Sequence, residues 1–224
     1  MERGSWVSRL LRRLVESGVD CRALVREGKA LPSGVTPTEG DILDPALLAG
    51  TIKDVSAILH LAAVLRTPEP ETIWKTNLEG TRNLIAATKR HSSRARFIMA
   101  STGLVYDARG PRPAREDDAA DPKTPYPASK VAAENALRSS GLSWSLLRLG
   151  FVYGDKDGHL NSVPKPAEMF KWHPANRLSM IHHRDIEMVV KLALTGALDG
   201  RIVNIVDEAP MSIFEITEYV GATV

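Results

Sequence analysis

Val55-Ser56-Ala57-Ile58-Leu59-His60-Leu61-Ala62-Ala63 is a short, nearly continuous apolar run that ends on small residues. A run of this length without polar alternation suits a strand covered on both faces, as in a parallel sheet. Helices flank it. Asp44 with Pro45 carries the signature of a helix start, and a long helix is expected over Glu71 to Lys89. Outward from there the pattern repeats. An amphipathic helix over Ser5 to Ser17, closed by Gly18, leads into a strand at Cys21 to Val25, with a further short strand at Val35 to Glu39. On the other side come a strand at Arg96 to Ala100, a helix from Tyr126 towards Ser140 and a strand at Trp144 to Leu149. Met180 to His183, a helix from Asp185 to about Leu194, a strand at Ile202 to Val206 and a helix from Ser212 complete the chain. Strands alternating with helices over short connections define an α/β fold with a doubly wound parallel sheet, whose ligands sit at the carboxyl ends of the strands.

Composition limits the function classes. The chain has 224 residues, 43% of them hydrophobic, enough for one sizeable core and a single domain over 1–224. Its net charge of +2, from 29 basic and 27 acidic residues spread along the chain, marks neither a nucleic-acid-binding stripe nor a polybasic membrane anchor. One cysteine, Cys21, excludes an internal disulfide. With no long apolar span and no signal-peptide layout, the expected location is the cytoplasm. Segment 155–184, rich in proline and glycine at its start and read as loop through Arg177, is expected to join 207–224 in a small substrate lobe.

The chemistry-bearing stretch is Tyr126-Pro127-Ala128-Ser129-Lys130. Residues four apart share a helix face, so a phenol and an ammonium can meet one small volume, and the ammonium is expected to favour the phenolate. A phenol so tuned exchanges a proton with a hydroxyl or carbonyl. The adjacent pair His182-His183 is expected to point to opposite sides of an extended segment, which argues against a metal site. Glu116-Asp117-Asp118 is an acidic run ahead of the Tyr126 helix.

Taken together, Asp41-Ile42, His60-Leu61-Ala62-Ala63, Asn77 in Asn77-Leu78-Glu79-Gly80-Thr81, Ser101-Thr102 with Val105-Tyr106, Tyr126 to Lys130, Arg148 with Val152-Tyr153-Gly154, and His182 with Asp185 resemble, in that order, the extended or atypical branch of the short-chain dehydrogenase/reductase superfamily known as the NAD-dependent epimerase/dehydratase family. The resemblance implies a Rossmann-like fold carrying NAD(P). It implies hydride transfer at a hydroxyl or carbonyl of a small-molecule substrate such as a sugar nucleotide. Thr102, Tyr126 and Lys130 fall at its catalytic positions. Gly4, Arg26, Asp41, Ile42, Leu61, Ala62, Ala63, Asn77, Val152 and again Tyr126 and Lys130 fall at cofactor-binding positions, with Asp41-Ile42 against adenine and no metal ligands. Gly103 after Thr102, where dehydratases often carry an acid, favours reduction or epimerisation. A homodimer through the helices at Glu71 to Lys89 and Tyr126 to Ser140 is expected by the same likeness. Arg26, where NAD enzymes usually carry a carboxylate, favours NADP.

The likeness breaks down at the amino terminus. Gly4 matches the middle glycine of the family's phosphate-binding turn, Val7 stands in place of the third, and the family's first strand has no counterpart. A shortened amino terminus on an otherwise intact fold is expected, with two sheet neighbours left unpaired. The alternative is a non-catalytic protein that keeps the fold and senses dinucleotide.

Overall fold

The computed structural model describes residues 6–26, 28–106, 112–155 and 158–222. Helix α1 (Trp6–Glu16) leads to strands β1 (Cys21–Val25) and β2 (Val35–Glu39), then α2 (Pro45–Ile52) and β3 (Ala57–His60). Next, α3 (Pro70–Trp74) runs through a π turn at Lys75–Glu79 into α4 (Gly80–His91), followed by β4 (Arg96–Thr102). Helix α5 (Pro125–Arg138) and strands β5 (Trp144–Leu149) and β6 (Phe151–Tyr153) come next, then α6 (Pro164–Met169), β7 (Arg177–Leu178) and β8 (Met180–His182). Helix α7 (His183–Leu194), β9 (Arg201–Ile205), β10 (Met211–Ser212) and α8 (Ile213–Tyr219) end the chain.

Local chemistry accounts for the boundaries. The Asp44 carboxylate accepts from the Ala46 amide at 3.0 Å, and Pro45 at the first helical position loses no hydrogen bond there. At α8, Ser212 and Glu215 form a reciprocal capping box. Helix α6 falls inside the segment expected to be loop. Its prolines 164 and 166 sit in the first turn, where a missing N–H costs nothing, so residues that looked like breakers begin a helix.

The main sheet is parallel, in the order β3-β4-β5-β9. Helices cover both of its faces. One core gathers Leu10 and Leu14 of α1, Ile98, Leu147 and Leu149 of the sheet, and Ile186 and Val190 of α7. The other gathers Leu48 and Ile52 of α2, Leu84 and Ile85 of α4, Phe97 and Met99 of β4, and Ala133 and Leu137 of α5. A third, smaller cluster joins Val163 and Ala167 of α6 to Met180, Ile213 and Ile216. The crossing from β5 to β6 depends on Gly150, where an added Cβ would sit 2.7 Å from the Ser179 carbonyl oxygen.

The sheet is divided, in line with the expectation of two neighbours left unpaired. Strands β1 and β2 form their own parallel pair, and among the described residues no ladder joins β1 to β3. Yet both strands feed the same two cores: Ala23 and Leu59 pack into the first, Leu24 and Ile58 into the second. They therefore lie in one layer with an unbonded seam between them. Ala57, Ile58 and Leu59 remain only partly buried, unusual for strand residues beneath helices on both sides. No helix among the described residues is long and apolar enough to cross a membrane.

Candidate active site

Strand β4 ends at Thr102, and its partner across the site is the first turn of α5. Pro125 opens that helix and Tyr126 follows, so the phenol projects from a helix start towards the carboxyl end of the sheet. The Thr102 hydroxyl lies close enough to the Tyr126 phenol to act on its ionisation. Thr102 also accepts from the Leu104 amide at 3.2 Å, which fixes its side chain at the turn. Lys130, one turn beyond Tyr126, is 2% exposed. Burial pulls its ammonium down to about 8, with the Glu134 carboxylate acting in the opposite direction.

The expectation that Lys130 would depress the phenol is corrected. Burial pushes Tyr126 up from its ordinary value, and only the Thr102 hydroxyl draws it back. Spacing puts the two groups on one face; how strongly burial acts on each is not contained in it.

Asn77 lies at the π turn and is fully buried. Its amide nitrogen donates to Ser129 Oγ at 2.9 Å and to the Val64 carbonyl at 3.0 Å, while its oxygen accepts from the Val64 amide at 2.8 Å. Ser129 in turn donates to the Tyr126 carbonyl at 2.7 Å. Asn77 thus braces the start of α5 and the chain after Ala63, and its side chain is spent on those partners. His60 bonds Thr81 Oγ1 at 2.8 Å; burial first, and the Lys130 charge second, lower it to about 3, so it is neutral.

The other residues expected at a cofactor site fall into two groups. Arg26 and Asp41 line one cavity of about 470 Å³ with Glu39, Gly40 and Leu47. Asp41 spends one oxygen on the Leu43 amide at 2.9 Å. Glu39 brings to this hollow the carboxylate that the end of β1 lacks. Ile42 instead packs inward, where a Cβ on Gly80 would lie 2.5 Å from its Cδ1. Leu61 and Val152 are half-buried against the first core, and Ala62 and Ala63 are exposed. Gly4 lies outside the described residues.

The reasoning about His182 and His183 is also corrected. The pair straddles the junction of β8 and α7, so the chain turns between them and the rings lie 4.5 Å apart. With Asp155 they bring ligand-type atoms within 4.8 Å of one another. Those atoms are already engaged. Arg9 and Arg13 approach the two ring nitrogens of His183 at 3.0 Å each, Arg184 holds Asp155 at 2.6 Å, and His182 caps α7 by accepting from the Arg184 amide. A cation there would meet three guanidinium groups, and the cluster reads as packing of α1 against α7.

Sequence reading missed Glu134. Continuing the four-residue step from Tyr126 through Lys130 arrives at it, and its 2% exposure identifies a carboxylate that must be paired. Its partner is Arg148 of β5, with Nη2 to Oε2 at 2.7 Å and Nε to Oε1 at 3.2 Å.

A parallel α/β sheet with a hydroxyl, a phenol and a lysine gathered at one strand end defines a protein of the short-chain dehydrogenase/reductase class. The profile of the NAD dependent epimerase/dehydratase family matches residues 3–170, and the chain belongs to that family. The UDP-glucose 4-epimerase of Azospirillum brasilense is 32% identical over an alignment of 151 residues that covers 62% of this chain and 42% of that protein. The chain therefore spans less than half the length of this curated relative. Two solved structures share the fold. The Bordetella bronchiseptica enzyme WbmG in complex with NAD and UDP superimposes with a TM-score of 0.79 at 23% identity, covering 99% of this chain and 77% of that one. The Thermus thermophilus UDP-glucose 4-epimerase in complex with NAD gives 0.79 at 24% identity, covering 99% and 82%.

Proposed function

We propose that the chain binds NAD or NADP and assists hydride transfer at a hydroxyl or carbonyl carbon of a sugar nucleotide, by reduction or epimerisation. The observation that carries this reading is the Thr102 hydroxyl acting on the Tyr126 phenol at the end of β4, with Lys130 buried one turn further on along α5. Thr102 would hold the substrate oxygen. Tyr126 would take the hydroxyl proton as the carbon is oxidised, and return it on reduction. Lys130, charged below about pH 8, would bring a cation one helical turn from that exchange, although burial outweighs it at the phenol. The nicotinamide, when bound, supplies the acceptor or donor of hydride. Relatives named for UDP-glucose and crystallised with NAD support both the substrate class and the cofactor.

The residues present fit the adenosine end of such a cofactor. The hollow of Arg26, Glu39, Gly40, Asp41 and Leu47 offers a carboxylate for an amino group and a shallow apolar wall. The preference for NADP stands on Arg26, whose guanidinium suits a 2′-phosphate, while Glu39 beside it would repel one. Fluorescence titration of the purified chain is expected to give binding of both NADPH and NADH, with Arg26→Ala weakening NADPH more. Equal weakening of the two removes the NADP preference. Absence of binding by either defeats the enzyme reading. Incubation with UDP-glucose and related UDP-sugars, followed by chromatography of the products, tests turnover directly.

The seam between β1 and β3 favours a second reading. A dinucleotide would have to span strands that share no ladder, which suits a protein that keeps the fold without catalysis. Sustained turnover of any sugar nucleotide by the purified chain would exclude it.

A further inference from the structure

Three buried side chains form a unit behind the Tyr126–Lys130 pair. Glu134 accepts from Ser101 Oγ at 2.5 Å and from both arms of Arg148. Ser101 is the residue before Thr102 on β4, while Glu134 is one turn beyond Lys130 on α5. One carboxylate therefore ties the strand end that bears Thr102 to the helix that bears Tyr126 and Lys130. The unit reaches further. Arg148 donates to the Tyr106 hydroxyl at 2.6 Å, Tyr106 donates to Asn204 Oδ1 at 2.9 Å, and Asn204 bonds Glu116 Oε1 and the Ala114 carbonyl. That last step connects the buried pair to the acidic loop ahead of α5.

We propose that Glu134, clamped by Arg148 and Ser101, is a positioning residue that holds Lys130 in its charged form and fixes the strand end of Thr102 against the helix of Tyr126. The proposal rests on reading Tyr126 and Lys130 as the proton-exchanging pair. Neutral His60 of β3 and Glu134 of α5 act on Lys130, Tyr126 lies one turn before it on α5, and Arg148 of β5 stands behind Glu134. Among the acids, Glu134 is the one whose carboxylate favours the ammonium against its burial. Without it, burial alone would act on a lysine that is 2% exposed, and burial favours the neutral amine.

The test is an NMR titration of the Lys130 side chain, assigned with Lys130→Arg, on the full chain without substrate or dinucleotide. The wild type is expected to titrate near pH 8. Glu134→Gln should move the midpoint down by about one pH unit or more. Because that variant strands Arg148, the double variant E134Q/R148M is a control for stability; it also removes a cation that opposes the Lys130 charge, so its midpoint should fall less than that of Glu134→Gln. Glu134→Asp should return the midpoint part of the way. An unchanged midpoint in Glu134→Gln with native near-ultraviolet circular dichroism overturns the proposal. Loss of fold in both the double variant and Glu134→Asp overturns it too, since the pair would then be a structural brace alone. The readout needs no turnover, so a failed titration and a failed enzyme reading are separate outcomes.

Discussion

Tyr126→Phe is expected to lower kcat/KM on any sugar nucleotide the chain converts by roughly 100- to 10,000-fold, the range a positioned acid-base group supplies. The substitution removes one oxygen from a half-buried ring and leaves Ser129 free to keep its bond to the residue 126 carbonyl, so the helix start survives. The fall should lie in kcat more than in KM, because the lost proton transfer belongs to the transition state and not to ground-state binding. Steady-state kinetics of the two proteins, with dinucleotide affinity measured in parallel, check both parts. A variant that retains wild-type turnover would remove Tyr126 from the chemistry.

Arg148→Met should cost about 3–5 kcal/mol of unfolding free energy, the usual penalty for stranding one member of a buried ion pair. Both side chains are nearly sealed, at 5% and 2% exposure, so water cannot take over for the missing guanidinium. Glu134 would be left with Ser101 as its donor, and the Tyr106 hydroxyl would lose the contact that anchors it beneath the 112–118 loop. Against a typical total of about 5–15 kcal/mol, such a loss is a large fraction of the whole. Urea unfolding measures it. The double variant E134Q/R148M should be more stable than Arg148→Met, because it removes the uncompensated charge. A loss below about 1 kcal/mol for the single variant would mean that the pair contributes little beyond its shape.

Much of this architecture is legible from local patterns. The strands at Cys21, Arg96 and Trp144 announce themselves as apolar runs between turn residues, and Asp44-Pro45 fixes the start of α2 by chemistry confined to three residues. The Tyr126–Lys130 face follows from helix geometry alone. Other features depend on partners far away in the chain. Asn77 is a brace because Val64 and Ser129 come to it, Glu134 is buried because Arg148 arrives from β5, and His182 and His183 meet because a strand ends between them. The direction of the Tyr126 shift depends on how much water the fold excludes, which no spacing rule contains. Helix α6 is hidden for a different reason: its prolines resemble breakers, yet they occupy the one place in a helix where they are harmless.

The seam between β1 and β3 also bears on how the molecule opens. Among the described residues, strands β4 and β5 are each bonded on both sides, whereas β1 and β2 hold only each other, and β3 is bonded only to β4. Backbone hydrogen bonds create cooperativity across a sheet, and here they stop at a line that side-chain packing alone bridges. The β1–β2 pair is therefore expected to open as a unit of its own, at lower free energy than the four-stranded sheet, while α1 and α2 stay packed in the two cores. Native-state hydrogen exchange should find the amides of Cys21 to Val25 and Val35 to Glu39 exchanging through a partial opening, while those of Phe97 to Met99 and Leu146 to Leu149 wait for global unfolding. The adenosine hollow, built from the ends of β1 and β2, belongs to the part that leaves first, so any ligand seated there would stabilise that unit and delay its opening.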